Sequence, residues 1–135
     1  MVIRVRAVDH VVLRVSDIGA MKLFYCDVLN CALERELEDI GLIQLRAGTA
    51  LIDLVPVDSE LGKLGGGAPS QAGRNMDHIC LQLEKITEEE LVAHLVSYKI
   101  EVEELAERYG AEGFGRSLYI KDPEGNVVEL KISLT

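Results

Sequence analysis

The nine residues AVDHVVLRV, from Ala7 to Val15, return 68 positions later as NMDHICLQL, from Asn75 to Leu83, with a histidine at the same place in each copy. Self-similarity of this kind restricts the fold more than composition does, because each copy must belong to a supersecondary unit built on the same plan. The order of elements repeats along with the strand. After the first copy, Asp17 precedes Met21, Phe24, Tyr25, Val28 and Leu29, the spacing of an amphipathic helix behind an N-cap. After the second, Thr87 and Glu90 form a capping box ahead of Leu91, Leu95 and Tyr98. Each half then breaks into turn-punctuated apolar segments. These are a short strand near residues 33–37, GLIQLRA and TALIDLVP in the first half, and a short strand near 100–104, RSLYIKD and NVVELKIS in the second. The pattern predicts an α+β fold of two βαβββ modules, at roughly 5–57 and 75–135, within one domain covering residues 1–135.

Between the modules, residues 58–74 read as a linker. PVDSELGKLGGGAPSQAGRN holds five of the chain's twelve glycines and two of its three prolines. GKLGGG lacks the Lys-Ser or Lys-Thr and the following helix that a phosphate loop needs. A mobile lid carrying Arg74 toward a substrate is the functional expectation instead. A net charge of −9 would repel phosphate backbones and anionic lipid surfaces, so neither nucleic acid nor membrane is expected as a partner. The first ten residues alternate Arg with Val and offer no apolar run of signal-peptide or membrane-span length, which points to the cytoplasm. Cys26, Cys31 and Cys80 are odd in number and form no C-x-x-C pair, so they are read as reduced, mostly buried thiols.

Side chains alternate between the faces of a strand, so each repeated strand sorts into two lists. Val11, Leu13, Val15, Ile52, Leu54, Ile79, Leu81, Leu83, Val128, Leu130 and Ile132 make one purely aliphatic face, expected to pack on the helices. The other face carries His10 and Arg14, Asp53, His78 and Gln82, and Glu129 and Lys131 among apolar neighbours. Charges set into such a surface need partners or a metal. His10 matches His78 in the repeat, and Asp53 matches Glu129 once the loop around YGAEGFG absorbs eight extra residues. Two imidazoles and two carboxylates suit a divalent ion such as Ni, Co, Zn, Mn or Fe(II), with positions left for water or substrate.

DHVVLRVSD, the helix ending FYCDVLN, MDHICLQL and the terminal SLYIKDPEGNVVEL together closely resemble the glyoxalase, bleomycin-resistance and extradiol-dioxygenase superfamily, also called the vicinal oxygen chelate superfamily. The resemblance implies paired βαβββ modules forming a curved, cupped mixed sheet around a metal cleft. By it, His10, Asp53, His78 and Glu129 fall on the metal-ligand positions. Asp53 stands where glyoxalase I members usually carry Glu, and LNC stands where the family usually has Leu-Gly and an aromatic, so the following strand is expected to enter differently. The implied chemistry is a lyase or isomerase reaction on a small oxygen-chelating substrate through an enolate, with Glu129 as the catalytic base. Arg14, Tyr119, Lys131 and Arg74 are the expected substrate-binding residues. An Fe(II) extradiol-type dioxygenase, a resistance-type transferase and a metal-free drug-binding protein are the alternatives. Open sheets with unpaired edges also lead us to expect a homodimer.

Overall fold

The computed structural model describes residues 2–134, and the chain divides into two compact units, Met1–Ser70 and Gln71–Thr135. The first unit runs β1 (His10–Val15), α1 (Ile18–Leu23), a π-helical turn (Phe24–Val28), β2 (Ala32–Leu37), a 3-10 turn (Glu38–Ile40), β3 (Leu42–Ala47), β4 (Ala50–Pro56) and α2 (Glu60–Lys63). Its four strands lie in the order β1-β4-β3-β2, with β1 parallel to β4 and the other pairs antiparallel. A parallel pair cannot be joined by a tight turn, so the helix and two intervening strands carry the chain across.

The local causes are those the sequence predicts. Asp17 accepts a hydrogen bond from the Ala20 amide and starts α1. Met21, Phe24, Tyr25 and Val28 are buried with Leu13, Val15, Ile52 and Leu54, the aliphatic face of β1 and β4. Each such side chain contributes about 1.5 to 3 kcal/mol when fully buried. The helix widens into a π turn at its end, where the Leu29 amide reaches back to the Phe24 carbonyl. Asn30 follows with φ of 58°. This is the centre of LNC, and Asn is among the few residues other than glycine that tolerate the left-handed region, so the chain turns into β2 without glycine. The linker expected from residue 58 opens with a helical turn, because Ser59 caps α2 by accepting from the Gly62 amide.

The second unit runs β5 (Ile79–Leu83), α3 (Glu88–Ser97), β6 (Glu103–Gly110), β7 (Gly113–Lys121) and β8 (Val127–Ile132). Its strand order, β5-β8-β7-β6 with β5 parallel to β8, repeats the first unit strand for strand. Thr87 and Glu90 make the reciprocal capping box, and Leu91 and Leu95 are buried. Tyr98 is not part of that apolar stripe: it ends the helix as the C-cap and lies half exposed. The turn before β8 is built on buried Asp122. Its Oδ1 accepts from the amides of Glu124 and Asn126, and its Oδ2 from the Asn126 side chain. Gly125 supplies the positive φ of 82° that this turn needs.

Two expectations are corrected. The strand placed near Ile100 begins instead at Glu103, where Glu104 at φ of 53° and a register shift before Ala106 distort the ladder. YGAEGFG is not a loop but the closed end of the β6–β7 hairpin, with Tyr109 opposite Phe114 and Gly110 opposite Gly113. The three cysteines are free, yet only Cys31 is buried; Cys26 is half-buried and Cys80 is exposed on the polar face of β5. Among the described residues, no helix is long and apolar enough to cross a membrane.

Candidate metal centre

In the second unit, His78 directly precedes β5, and Glu129 sits in mid-β8 opposite Cys80 of β5 and Tyr119 of β7. His78 Nε2 lies 3.3 Å from Glu129 Oε1. The other ring nitrogen, Nδ1, is 2.7 Å from Asp77 Oδ2. A carboxylate there accepts the Nδ1 proton, which leaves the Nε2 lone pair turned toward Glu129. The same hydrogen bond holds the Asp77 carboxyl below its usual ionisation range.

Glu129 is buried and anchored on its far side. Ser117 Oγ, also buried, donates to Glu129 Oε2 at 2.7 Å. Arg108 donates in turn to Ser117 Oγ at 3.0 Å and to the carbonyls of Ser117 and Glu104 at 2.8 and 2.6 Å. The Arg108 guanidinium also stacks 4.5 Å from the centre of the Tyr119 ring, and that ring meets His78 edge-on at 5.7 Å. Burial, followed by the charge of Glu129, raises the ionisation of the Tyr119 phenol. Loss of water around the thiol, followed by the charge of Glu129, pushes Cys80 up to about 11, although the residue as a whole is exposed.

The first unit holds a second histidine backed by an aspartate. His10 Nδ1 is 2.7 Å from Asp9 Oδ1. Its ionisation is raised chiefly by that hydrogen bond, with Asp53 adding a smaller electrostatic effect. Asp53 is buried, and the Gln44 amide nitrogen lies 3.3 Å from each of its oxygens. In the ladder Asp53 is opposite Val12, and His10 is opposite Leu51. Of the remaining expected residues, Arg14 donates to the carbonyls of Gly62, Gly66 and Gly67. Lys131 is buried with its ammonium on the Gly113 carbonyl, and Arg74 lies 3.4 Å from Asp77.

Among the described residues, no three His, Cys, Asp or Glu side chains gather into one group. Each unit holds one imidazole and one carboxylate of the expected set. The second pair fits a metal on geometric grounds. An imidazole lone pair and a carboxylate oxygen are both acceptors, so 3.3 Å of separation calls for a proton or a cation between them. Metal–nitrogen and metal–oxygen bonds of about 2.0 to 2.2 Å, set at octahedral to tetrahedral angles, put the two donor atoms about 2.8 to 3.6 Å apart.

The family profile described as the Glyoxalase/Bleomycin resistance protein/Dioxygenase superfamily matches residues 7–130. The chain belongs to this superfamily. A virulence protein from Salmonella typhimurium is 27% identical, with a TM-score of 0.74 over 98% of this chain and 100% of that one. An integron cassette protein from V. cholerae is 25% identical, with a TM-score of 0.75 over 98% of each chain. Lactoylglutathione lyase from Agrobacterium tumefaciens shares the fold at 23% identity, with a TM-score of 0.67 over 94% of this chain and 93% of that one.

Five residues around the two pairs in this glyoxalase-superfamily chain are not singled out by sequence reasoning: Asp9, Asp77, Gln44, Ser117 and Arg108. The aspartates carried a signal, since the repeat duplicates Asp-His and not the histidine alone. Ser117 shares strand parity with Tyr119, but its link to Glu129 crosses the sheet diagonally, from a residue paired with Lys131. No spacing rule exposes such a link.

Proposed function

We propose that the chain is a metal-dependent lyase or isomerase of the glyoxalase kind, acting on a small molecule that presents two adjacent oxygens. His10, Asp53, His78 and Glu129 are the ligands in this reading, for Ni, Co, Zn, Mn or Fe(II). The observation that carries it is the His78–Glu129 pair, two acceptors 3.3 Å apart with the imidazole oriented from behind by Asp77. The ion, when bound, polarises a substrate oxygen and so acidifies the neighbouring C–H.

Glu129 is the base. Ser117, itself held by Arg108, donates to Oε2, so that Oε1, once released, would take the proton from carbon. Tyr119, its ionisation raised, keeps its proton at neutral pH and can donate a hydrogen bond to the substrate. Arg14, Lys131 and Arg74 supply positive charge for an anionic substrate. The homodimer belongs to the same proposal, because β1 and β5 each stand at an edge of their own sheet. Light scattering that finds a monomer at micromolar concentration would remove it.

Metal analysis of the purified protein and of His78→Ala tests the core of the reading. The variant should lose its metal and keep its far-UV circular dichroism, since the aliphatic face is untouched. Stoichiometric metal in the variant would show that His78 is not a ligand. Failure of the native protein to hold any of these ions would favour a metal-free binding protein.

One observation favours a second reading. The Gln44 amide faces both oxygens of Asp53, and an Asp53 held there leaves His10, His78 and Glu129 as a two-histidine, one-carboxylate set suited to Fe(II) and oxygen chemistry. Asp53→Ala separates the two. Loss of metal supports the four-ligand lyase, whereas full Fe(II) loading with oxygen-dependent turnover of a catechol supports the dioxygenase.

A further inference from the structure

At the hairpin end of the second unit's sheet lies a cavity of about 230 Å³, lined by Gln82 of β5, Glu112 and Phe114 of the hairpin, and Lys131 and Leu134 at the end of the chain's last strand. Lys131 is its most unusual wall. Lys131 is 3% exposed, and its ammonium, with three protons to donate, has among the described residues one hydrogen-bond acceptor, the Gly113 carbonyl. Among the described residues no carboxylate reaches ion-pair distance of it, although Glu112 lines the same cavity. The backbone is cleared around the amine: a Cβ at Gly110 would stand 2.8 Å from Nζ, and one at Gly115 3.2 Å from Cε. Among the described residues, then, a buried cation with spare donors stands beside open volume without a carboxylate in contact, an arrangement that favours an anion.

We propose that this cavity binds the carboxylate end of a small monoanionic ligand, with the carboxylate on Lys131 and the short apolar remainder against Phe114 and Leu134. The volume falls below that of pockets for drug-sized ligands and suits a ligand of a few heavy atoms. Glu112 in the wall disfavours a dianion, which selects a carboxylate over a phosphate. Lys131 and Glu129 share one face of β8 two residues apart, a spacing of about 6 to 7 Å, so a substrate longer than the cavity and anchored on Lys131 would extend toward Glu129. That role in turnover rests on the metal-dependent reading; the binding itself does not.

The experiment is a titration of the metal-free protein with butyrate at constant ionic strength, followed by the amide signals of Gly113, Phe114 and Gly115 and the side-chain ammonium signal of Lys131. Saturable shifts at millimolar butyrate are expected, with phosphate binding at least several-fold more weakly. Lys131→Met should abolish saturation, and His78→Ala should leave it intact, so a failed metal site and a failed anion site give different results. Shifts that do not saturate, an unmoved Lys131 ammonium in the native protein, equal binding by Lys131→Met, or tighter binding by phosphate than by butyrate would each overturn the assignment.

Discussion

Ser117→Ala is the most informative perturbation of the second pair, because it removes a single buried atom. Ser117 is fully buried and Glu129 is 6% exposed, so water cannot replace the lost donor at Glu129 Oε2. Arg108 loses its bond to Ser117 Oγ but keeps those to the carbonyls of Ser117 and Glu104, so the main loss falls on the carboxylate. A hydrogen bond to a charged group contributes about 1.5 to 3 kcal/mol. With a urea dependence of about 2 kcal/mol per molar, the unfolding midpoint should fall by roughly 0.75 to 1.5 M. The chain has no Trp, so far-UV circular dichroism is the probe. A chelator must be present, since bound metal would add its own stabilisation. In a Glu129→Ala background the same serine change should cost much less, and the difference is the coupling between the two residues. A loss below about 0.5 kcal/mol in the native background, or an equal loss in both, would refute the claim that Ser117 braces Glu129.

Asp77→Ala should weaken zinc binding about 10- to 100-fold by equilibrium dialysis, with Asp77→Asn less affected, while the urea midpoint stays put; unchanged affinity would mean that the carboxylate does not orient His78. Gly62→Ala should cost about 1 to 3 kcal/mol or more, because the new Cβ would stand 1.8 Å from the Pro56 carbonyl oxygen, whereas Gly67→Ala, with open space around it, should be near neutral. Burial pushes the Cys31 thiol up to about 11. The neutral form therefore persists until the pH nears that value, and at pH 8 the thiolate is about 100-fold scarcer than for an ordinary thiol. Iodoacetamide at pH 8 should leave Cys31 unlabelled long after a model thiol has reacted, and equal rates would contradict its burial.

What the sequence revealed, it revealed by duplication and period. The strand repeat with its histidine, the caps at Asp17 and Thr87 and the alternating faces of β1, β4 and β8 are local or periodic signals, and each corresponds to an observed element. The misreadings fall where a residue's purpose is non-local. Gly110, Gly113 and Gly115 look like loop punctuation, yet Gly110 and Gly115 leave room for the side chain of Lys131, a residue far along the chain. The bracing of Glu129 by Ser117 and Arg108 depends on strand register, which no spacing within one strand encodes. Tyr98 keeps helical spacing but falls past the last turn, where the apolar stripe has already left the core.

The parallel pairing that closes each sheet also sets an order of events in folding. β1 finds its partner about 40 residues downstream, at His10 with Leu51, and β5 finds its own about 50 residues downstream, at Ile79 with Val128. The antiparallel partners β3 and β4, and β7 and β8, are close neighbours in the chain and can zip first. Long-range closure is entropically slow, so β1 and β5 should be the last strands to dock and the first to peel away. His10 begins β1 and His78 directly precedes β5. Hydrogen exchange should therefore find both imidazoles on the least protected strands of their sheets, and an ion that bridges histidine to carboxylate would act as a latch on the step that finishes each half.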